Sequence, residues 1–267
     1  YIYAADNGAI ISQNSWGYSN PYSYEQIVLD AIDYFIAEAG SYSGSPMKGG
    51  IVIFASGNSS TDLLMYPGAY DHVIAVSAIG PRFEYAPYSN FGDWIDISAP
   101  GGNGDWGVAS SVLSTIPNGK YGYMDGTSMA CPHVSGVAAL VVSRHGGANY
   151  TNETLKKALL TGISNKIYEA ESNASYKNLL GTGMTDAVKA IATDQKKAPD
   201  AITSLVLKGI AQDFANIQWL VPVDEDDAEP VEFEILYSTK PLTASNVASA
   251  KSMKVKNDQP AGTEIEV

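Results

Sequence analysis

Two runs of the chain, Gly50-Ile51-Val52-Ile53-Phe54-Ala55 and Val73-Ile74-Ala75-Val76-Ser77-Ala78, are apolar almost without interruption. A strand with one wet face alternates apolar and polar residues, so unbroken runs are expected inside a parallel sheet covered by helices on both faces. Ile10-Ile11 opens a third such strand. The first two strands in chain order end in small polar residues, Ser12-Gln13-Asn14-Ser15-Trp16-Gly17 and Ser56-Gly57-Asn58, and in sheets of this kind the loops after the strand ends face ligands. Helical periods fill the intervals. A crossover helix is expected from Gln26 to Phe35, capped by Ser23, with Ile27, Ala31 and Phe35 on its inner face. A helix apolar on nearly all sides runs from about Ser128 to Arg144, another opens at Thr151 and passes through Leu155 and Leu159, and a last one spans about Thr185 to Ala192. Residues 1–193 are therefore expected to form an α/β layered domain with a mostly parallel sheet.

The pattern changes at Asp194-Gln195-Lys196-Lys197-Ala198-Pro199-Asp200, a polar, proline-containing stretch with linker character over 194–200. Beyond it the period becomes two. Ile202 to Leu207, Phe214 to Val221, Val231 to Tyr237 and Glu264-Ile265-Glu266-Val267 read as strands of a small all-β, sandwich-like module over 201–267, with Trp219 facing its core. The acidic run Asp224-Glu225-Asp226-Asp227 is expected in a solvated turn.

The formal net charge is −13. Nucleic acids and anionic membranes recruit Lys and Arg, so neither is an expected partner. No apolar stretch reaches the roughly 18 residues of a membrane span. Cys131 is the single cysteine, which excludes an intrachain disulfide and a cysteine-based metal cluster; it reads as a small buried residue.

The sharpest chemical signal is Asp125-Gly126-Thr127-Ser128-Met129-Ala130-Cys131-Pro132-His133-Val134-Ser135-Gly136, a glycine turn leading into the apolar helix. A serine hydroxyl is a weak nucleophile. Placed at a helix start, it has backbone N–H groups and the positive end of the helix dipole beside it to receive developing negative charge. By itself a Gly-Thr-Ser is more often a helix cap, and Ala55-Ser56-Gly57-Asn58 a simple turn. The whole twelve-residue string, however, closely resembles the serine motif of the subtilisin-like proteases. Tyr66-Pro67-Gly68, Ser98-Ala99-Pro100-Gly101 and Gly181-Thr182-Gly183-Met184-Thr185-Asp186-Ala187 resemble further segments of that family, so the likeness runs from Tyr1 to about Thr193.

What the resemblance implies is a subtilisin-like three-layer domain, with its N-terminal portion outside this chain, belonging to a serine endopeptidase acting on polypeptide substrates. Ser128 would be the nucleophile and Asn58 the side-chain donor to the oxyanion. Ser15, Trp16 and Gly17 would pair with substrate backbone and, with Ala55, Ser56 and Gly57, wall an apolar primary pocket. Met65 stands where many relatives have glycine at its base, and is expected to leave that pocket shallow. No cofactor is required; some relatives hold a cation through carbonyls matching Gly68, Tyr70 and Val73, with Asp96 at one carboxylate position and Trp94 at the other, and no metal is expected here. Location outside the cell or in the envelope is implied by the family alone. The C-terminal module resembles a fibronectin type III domain in strand spacing, Trp219 and Tyr237, and at about 70 residues is expected to be truncated against the roughly 100 of a full sandwich.

A triad also needs a base and a carboxylate that orients it. The three histidines are His72, His133 and His145. His133 follows Ser128 by five residues on one helix, about 7.5 Å along the axis and roughly 140° round it, and so cannot readily face the hydroxyl. His72 precedes a buried strand, and His145 ends the helix. The family's Asp and His are therefore expected upstream in a longer parent, and the chain by itself is expected to be inactive. Another class of function stays open: a catalytically silent protein of this fold that binds peptides or mediates adhesion.

Overall fold

The computed structural model describes residues 1–193, 202–211, 214–222, 232–243, 247–257, 259–260 and 262–267. Contacts divide the chain between Asp194 and Gln195 into two compact units. The expected linker and the acidic run at 224–227 lie outside the described residues.

In the first unit β1 (Ile11–Asn14), β2 (Ile51–Ala55), β3 (Ile74–Ile79) and β4 (Ile97–Pro100) lie side by side and parallel. Two short strands, β7 (Ile163–Ser164) and β8 (Met184–Thr185), extend the sheet to the order β1-β2-β3-β4-β8-β7, with β7 alone antiparallel to its neighbour. The β5 (Val112–Ile116) and β6 (Lys120–Met124) hairpin stands apart. The unbroken apolar runs have the predicted cause. Ile51 and Ile53 face the core shared with α3 (Thr127–His145) and α4 (Asn152–Thr161), while Val52 and Phe54 face the core shared with α1 (Ile2–Asp6) and α2 (Gln26–Glu38). Two shorter helices, α5 (Lys166–Glu169) and α6 (Ala187–Thr193), complete the unit.

Several local expectations shift. The residue at the start of α2 is Glu25, with no side-chain cap, and not Ser23. Its buried face is Leu29, Ile32 and Phe35, while Ile27 is exposed; the spacing of three along the helix, not four, follows the side facing Val52 and Phe54. The last helix begins at Ala187 because Thr185 is taken by β8. The serine helix is not buried all round: Ala130, Cys131, Val134, Val137, Ala138 and Val141 face the sheet, and Leu140 on the other side is exposed.

The second unit contains β9 (Val206–Ile210), β10 (Ala215–Leu220) and β13 (Glu264–Glu266) as an antiparallel sheet in the order β13-β10-β9, and β11 (Glu232–Tyr237) with β12 (Lys251–Lys256) as a two-stranded one. Trp219, Val221 and Phe233 form its core, Trp219 meeting Phe233 edge-on at 5.3 Å between ring centroids. The first strand begins at Val206 rather than Ile202. β12 escaped the sequence reading because Lys251-Ser252-Met253-Lys254-Val255-Lys256 is largely polar and offers chiefly Val255 to the core.

Candidate active site

Ser128 is the second residue of α3, whose start is set by Gly126 at φ +149° and ψ 159°, a conformation that favours glycine. The first-turn amides are distributed in a revealing way. Those of Met129 and Ala130 donate to the Gly126 carbonyl (2.9 and 3.3 Å), and that of Thr127 donates to Asn58 Oδ1 (2.9 Å). The Ser128 amide has no acceptor among the described residues.

Asn58 lies in the loop after β2 and is exposed. Its Oδ1 also accepts from the Thr127 hydroxyl (2.9 Å), and that hydroxyl accepts from the Gly57 amide (3.1 Å). With its oxygen committed twice to Thr127, the side-chain amide has Nδ2 and its two hydrogens left to donate. The site thus offers an uncommitted backbone amide on Ser128 and an oriented side-chain amide on Asn58. Together these are the donor pair that could receive negative charge on an oxygen near the Ser128 hydroxyl. Thr127 was missed in the sequence; its place between Gly126 and Ser128 was visible, but nothing local indicated a partner 69 positions away.

Ser15 has a second unforeseen task. Pro132 lies inside α3 and has no N–H for the carbonyl four residues earlier, which belongs to Ser128. The Ser15 hydroxyl donates to that carbonyl instead, at 2.9 Å. The same residue therefore both lines the cleft and completes the first turn of the serine helix.

A cleft of about 300 Å³ brings together all the remaining candidates, lined by Trp16, Gly17, Ala55, Ser56, Gly57 and Met65 along with Ser15, Asn58 and Ser128. Trp16 is 45 % exposed and packs edge-on against Phe54 (5.4 Å between centroids), and its indole N–H donates to Asn14 Oδ1 (3.3 Å). Tyr18 donates its amide to the Tyr66 carbonyl (2.9 Å), which holds the Ser15–Tyr18 segment along the loop that carries Met65. The Tyr66–Pro67 bond is cis.

No histidine hydrogen-bonds to the Ser128 hydroxyl among the described residues. His133 shares a cavity of about 280 Å³ with Ser128, but its Nδ1 is 2.8 Å from the Met129 carbonyl. His72 pairs with Asp33 of α2 on the other face of the sheet (2.6 Å), and His145 is buried against the Ile191 carbonyl (2.8 Å). Burial pushes the Cys131 thiol up from its usual range, so it is a poor thiolate. Among the described residues no three or more His, Cys, Asp and Glu side chains are grouped to hold a metal. At the turn where a cation was considered, the Val73 carbonyl accepts from Lys156 Nζ (3.2 Å). Asp96 accepts from the Ala75 amide (2.7 Å); burial raises its carboxyl above the usual range, and that amide and Lys156 oppose the rise. Trp94 turns away, donating to the Asp62 carbonyl (3.1 Å).

The comparisons agree with this geometry. Residues 1–183 match the model of the subtilase family of peptidases. A thermophilic serine proteinase from Bacillus sp. (strain AK1) is 37% identical over 143 residues, covering 54% of this chain and 30% of the relative. An extracellular basic protease from Dichelobacter nodosus is 37% identical over 161 residues, covering 56% of this chain and 25% of the relative. Among solved structures, a protease from Pseudoalteromonas arctica PAMC 21717 superposes with a TM-score of 0.56 at 29% identity, covering 70% of this chain and 52% of the other. The chain thus spans under a third of the length of the two relatives. Its parallel sheet, serine helix and matched residues together place the chain in the subtilase family.

Proposed function

We propose that the full-length protein is a serine endopeptidase and that this chain contributes the nucleophile and the oxyanion hole. The carrying observation is the pinning of Asn58 by Thr127, which leaves Nδ2 free beside the start of the serine helix. Ser128 Oγ attacks the scissile carbonyl carbon while an upstream His takes its proton, and an upstream Asp orients that His. The carbonyl oxygen becomes an oxyanion between Asn58 Nδ2 and the Ser128 N–H. Collapse breaks the C–N bond, the amine leaves with the proton held by His, and water then hydrolyses the acyl-serine by the same steps reversed. A fluorophosphonate probe is expected to label the full-length protein at Ser128 and to leave residues 1–267 essentially unlabelled. Strong labelling of the shorter chain, or an upstream sequence without an Asp-bearing strand end and a His-Gly-Thr-His helix, would sink this reading in favour of a silent peptide-binding protein. An extracellular location is supported by the relative from Dichelobacter nodosus, and the Trp219-centred pair of sheets supports a fibronectin type III-like module.

Met65 lines the cleft, and we read it as the floor of the primary pocket. Peptides with small aliphatic residues before the scissile bond are expected to have higher kcat/KM than those with Phe or Tyr. Met65→Gly should raise use of the aromatic peptides about tenfold or more, since each methylene of a pocket is worth about 10- to 200-fold. An intact enzyme preferring Phe or Tyr would refute it.

We read the Lys156 ammonium, which reaches the Val73 and Asp71 carbonyls at 3.2 and 3.5 Å, as taking the place of a cation at the end of the Gly68–Val73 turn. Chelation with EDTA is therefore expected to leave Tm unchanged, while Lys156→Met should cost about 1 kcal/mol, the worth of an ordinary hydrogen bond. Thermal melts with and without EDTA decide it; a marked fall in Tm on chelation would contradict it.

A further inference from the structure

The segment Tyr88-Ser89-Asn90 lines neither cavity at Ser128, yet it touches both sides of the proposed oxyanion hole. Asn90 is wholly buried. Its Nδ2 donates to the Ser56 carbonyl (2.8 Å), its Oδ1 accepts from the amides of Ser59 (2.9 Å) and Thr61 (3.4 Å), and its own amide donates to the Gly57 carbonyl (2.9 Å). One side chain thereby grips the loop on either side of Asn58. Gly57, at φ +104°, leaves the room this needs, because a Cβ there would stand 2.6 Å from Asn90 Nδ2. The Tyr88 carbonyl adds a bond from the Ser60 amide (3.0 Å).

Toward the serine, the single hydrogen of the Tyr88 phenol is shared between the carbonyls of Gly101 (2.8 Å) and Gly102 (2.7 Å). Its oxygen accepts from the amide of Gly126 (3.0 Å), two residues before Ser128, and that amide also donates to the Gly101 carbonyl (2.9 Å). Between the two, Ser89 is buried and fixes the segment to the central strand β3, its hydroxyl accepting from the Ala78 amide at 2.9 Å. Asn58 itself is an exposed loop residue, and a donor must stand within about 0.5 Å of its working position.

We propose that Asn90 is a positioning residue for Asn58, with Tyr88 bracing the serine side, so that this segment sets the spacing of the oxyanion hole. The proposal rests on the endopeptidase reading above. It predicts a loss in turnover that passes through Asn58; Asn90 also holds the Ser56 and Gly57 backbone that walls the pocket, and a loss through that wall would show in KM and survive the removal of Asn58.

The test is a double-mutant cycle on the full-length protein, with kcat and KM measured per titrated active site and Tm recorded in parallel. Asn90→Ala is expected to lower kcat roughly 10- to 100-fold, the scale of an ångström's misplacement, with KM within about twofold. In an Asn58→Ala background the same change should cost less than about threefold. Tyr88→Phe should lower kcat by a few-fold in both backgrounds, because it acts on the serine side. Equal losses from Asn90→Ala with and without Asn58, or a lowered Tm with unchanged kcat, would overturn the positioning role while leaving the oxyanion assignment intact. If Asn58→Ala alone left kcat unchanged, the oxyanion assignment would fail and the proposal with it. Should Asn90→Ala not fold, Asn90→Ser, which keeps a hydroxyl in the buried site, carries the same cycle.

Discussion

Ser128→Ala in the full-length protein is expected to lower kcat by about 10⁶, the loss known for a subtilisin nucleophile. The reason is the position of the hydroxyl, not its number of contacts. Ser128 sits in the first turn of α3 behind a glycine at φ +149°, and of the other hydroxyls lining the cleft Ser15 is committed to the Ser128 carbonyl and Thr127 to Asn58. The nearby Cys131 is fully buried, with its thiol pushed up by burial. The fold should be untouched, since the contact that anchors this turn uses the Ser128 carbonyl and the Ser15 hydroxyl, which the substitution leaves in place. The check is kcat with a peptide substrate together with fluorophosphonate labelling and a thermal melt. A variant that keeps more than about 1% of wild-type kcat would remove Ser128 from the mechanism; a residue of about 10³–10⁴ over water is what the remaining binding and oxyanion donors supply.

Asn58→Ala should cost about 10²–10³ in kcat, a magnitude measured for the corresponding subtilisin donor, and change KM little. The donor matters only when the carbonyl oxygen has become an oxyanion, so the loss belongs to the transition state. The alanine variant also strands the Thr127 amide and hydroxyl, which both donate to Asn58 Oδ1. A stability loss of about 1–3 kcal/mol is expected from leaving such groups unpaired. Asn58→Asp separates the two effects: it keeps the acceptor for Thr127 and loses the donor to the oxyanion. Its stability should therefore stay close to wild type while its kcat falls at least as far as that of alanine. Wild-type turnover in Asn58→Asp would show that Nδ2 does not touch the reacting oxygen.

The parallel sheet was legible because it rests on short-range pattern. Ile51 to Phe54 are apolar in sequence because both faces of β2 are covered. The serine helix was legible for a similar reason, its glycine, its serine and its apolar run being contiguous. Errors arose where a neighbour decided. Ile27 looked like a core residue until the sheet was seen to lie against Leu29, Ile32 and Phe35. The serine helix read as apolar on nearly all sides, but packing chose only one of its faces and left Leu140 exposed. In the second unit Trp219 was visible as a core residue, whereas β12 was too polar to announce itself.

The amino-acid sequence by itself determined the family, the sheet, and Ser128 and Asn58 as candidate residues, since contiguous pattern carries each of them. Tertiary structure alone decided how those residues are held. Ser15 reaches the Ser128 carbonyl across 113 positions, and Asn58 is turned by Thr127 across 69. Asn90 grips the loop of Asn58 from 34 positions away at Ser56. Such pairings leave no local pattern, because a hydrogen bond between distant residues is specified by the register of the sheet that carries them and by the way buried polar groups must find partners once water has gone.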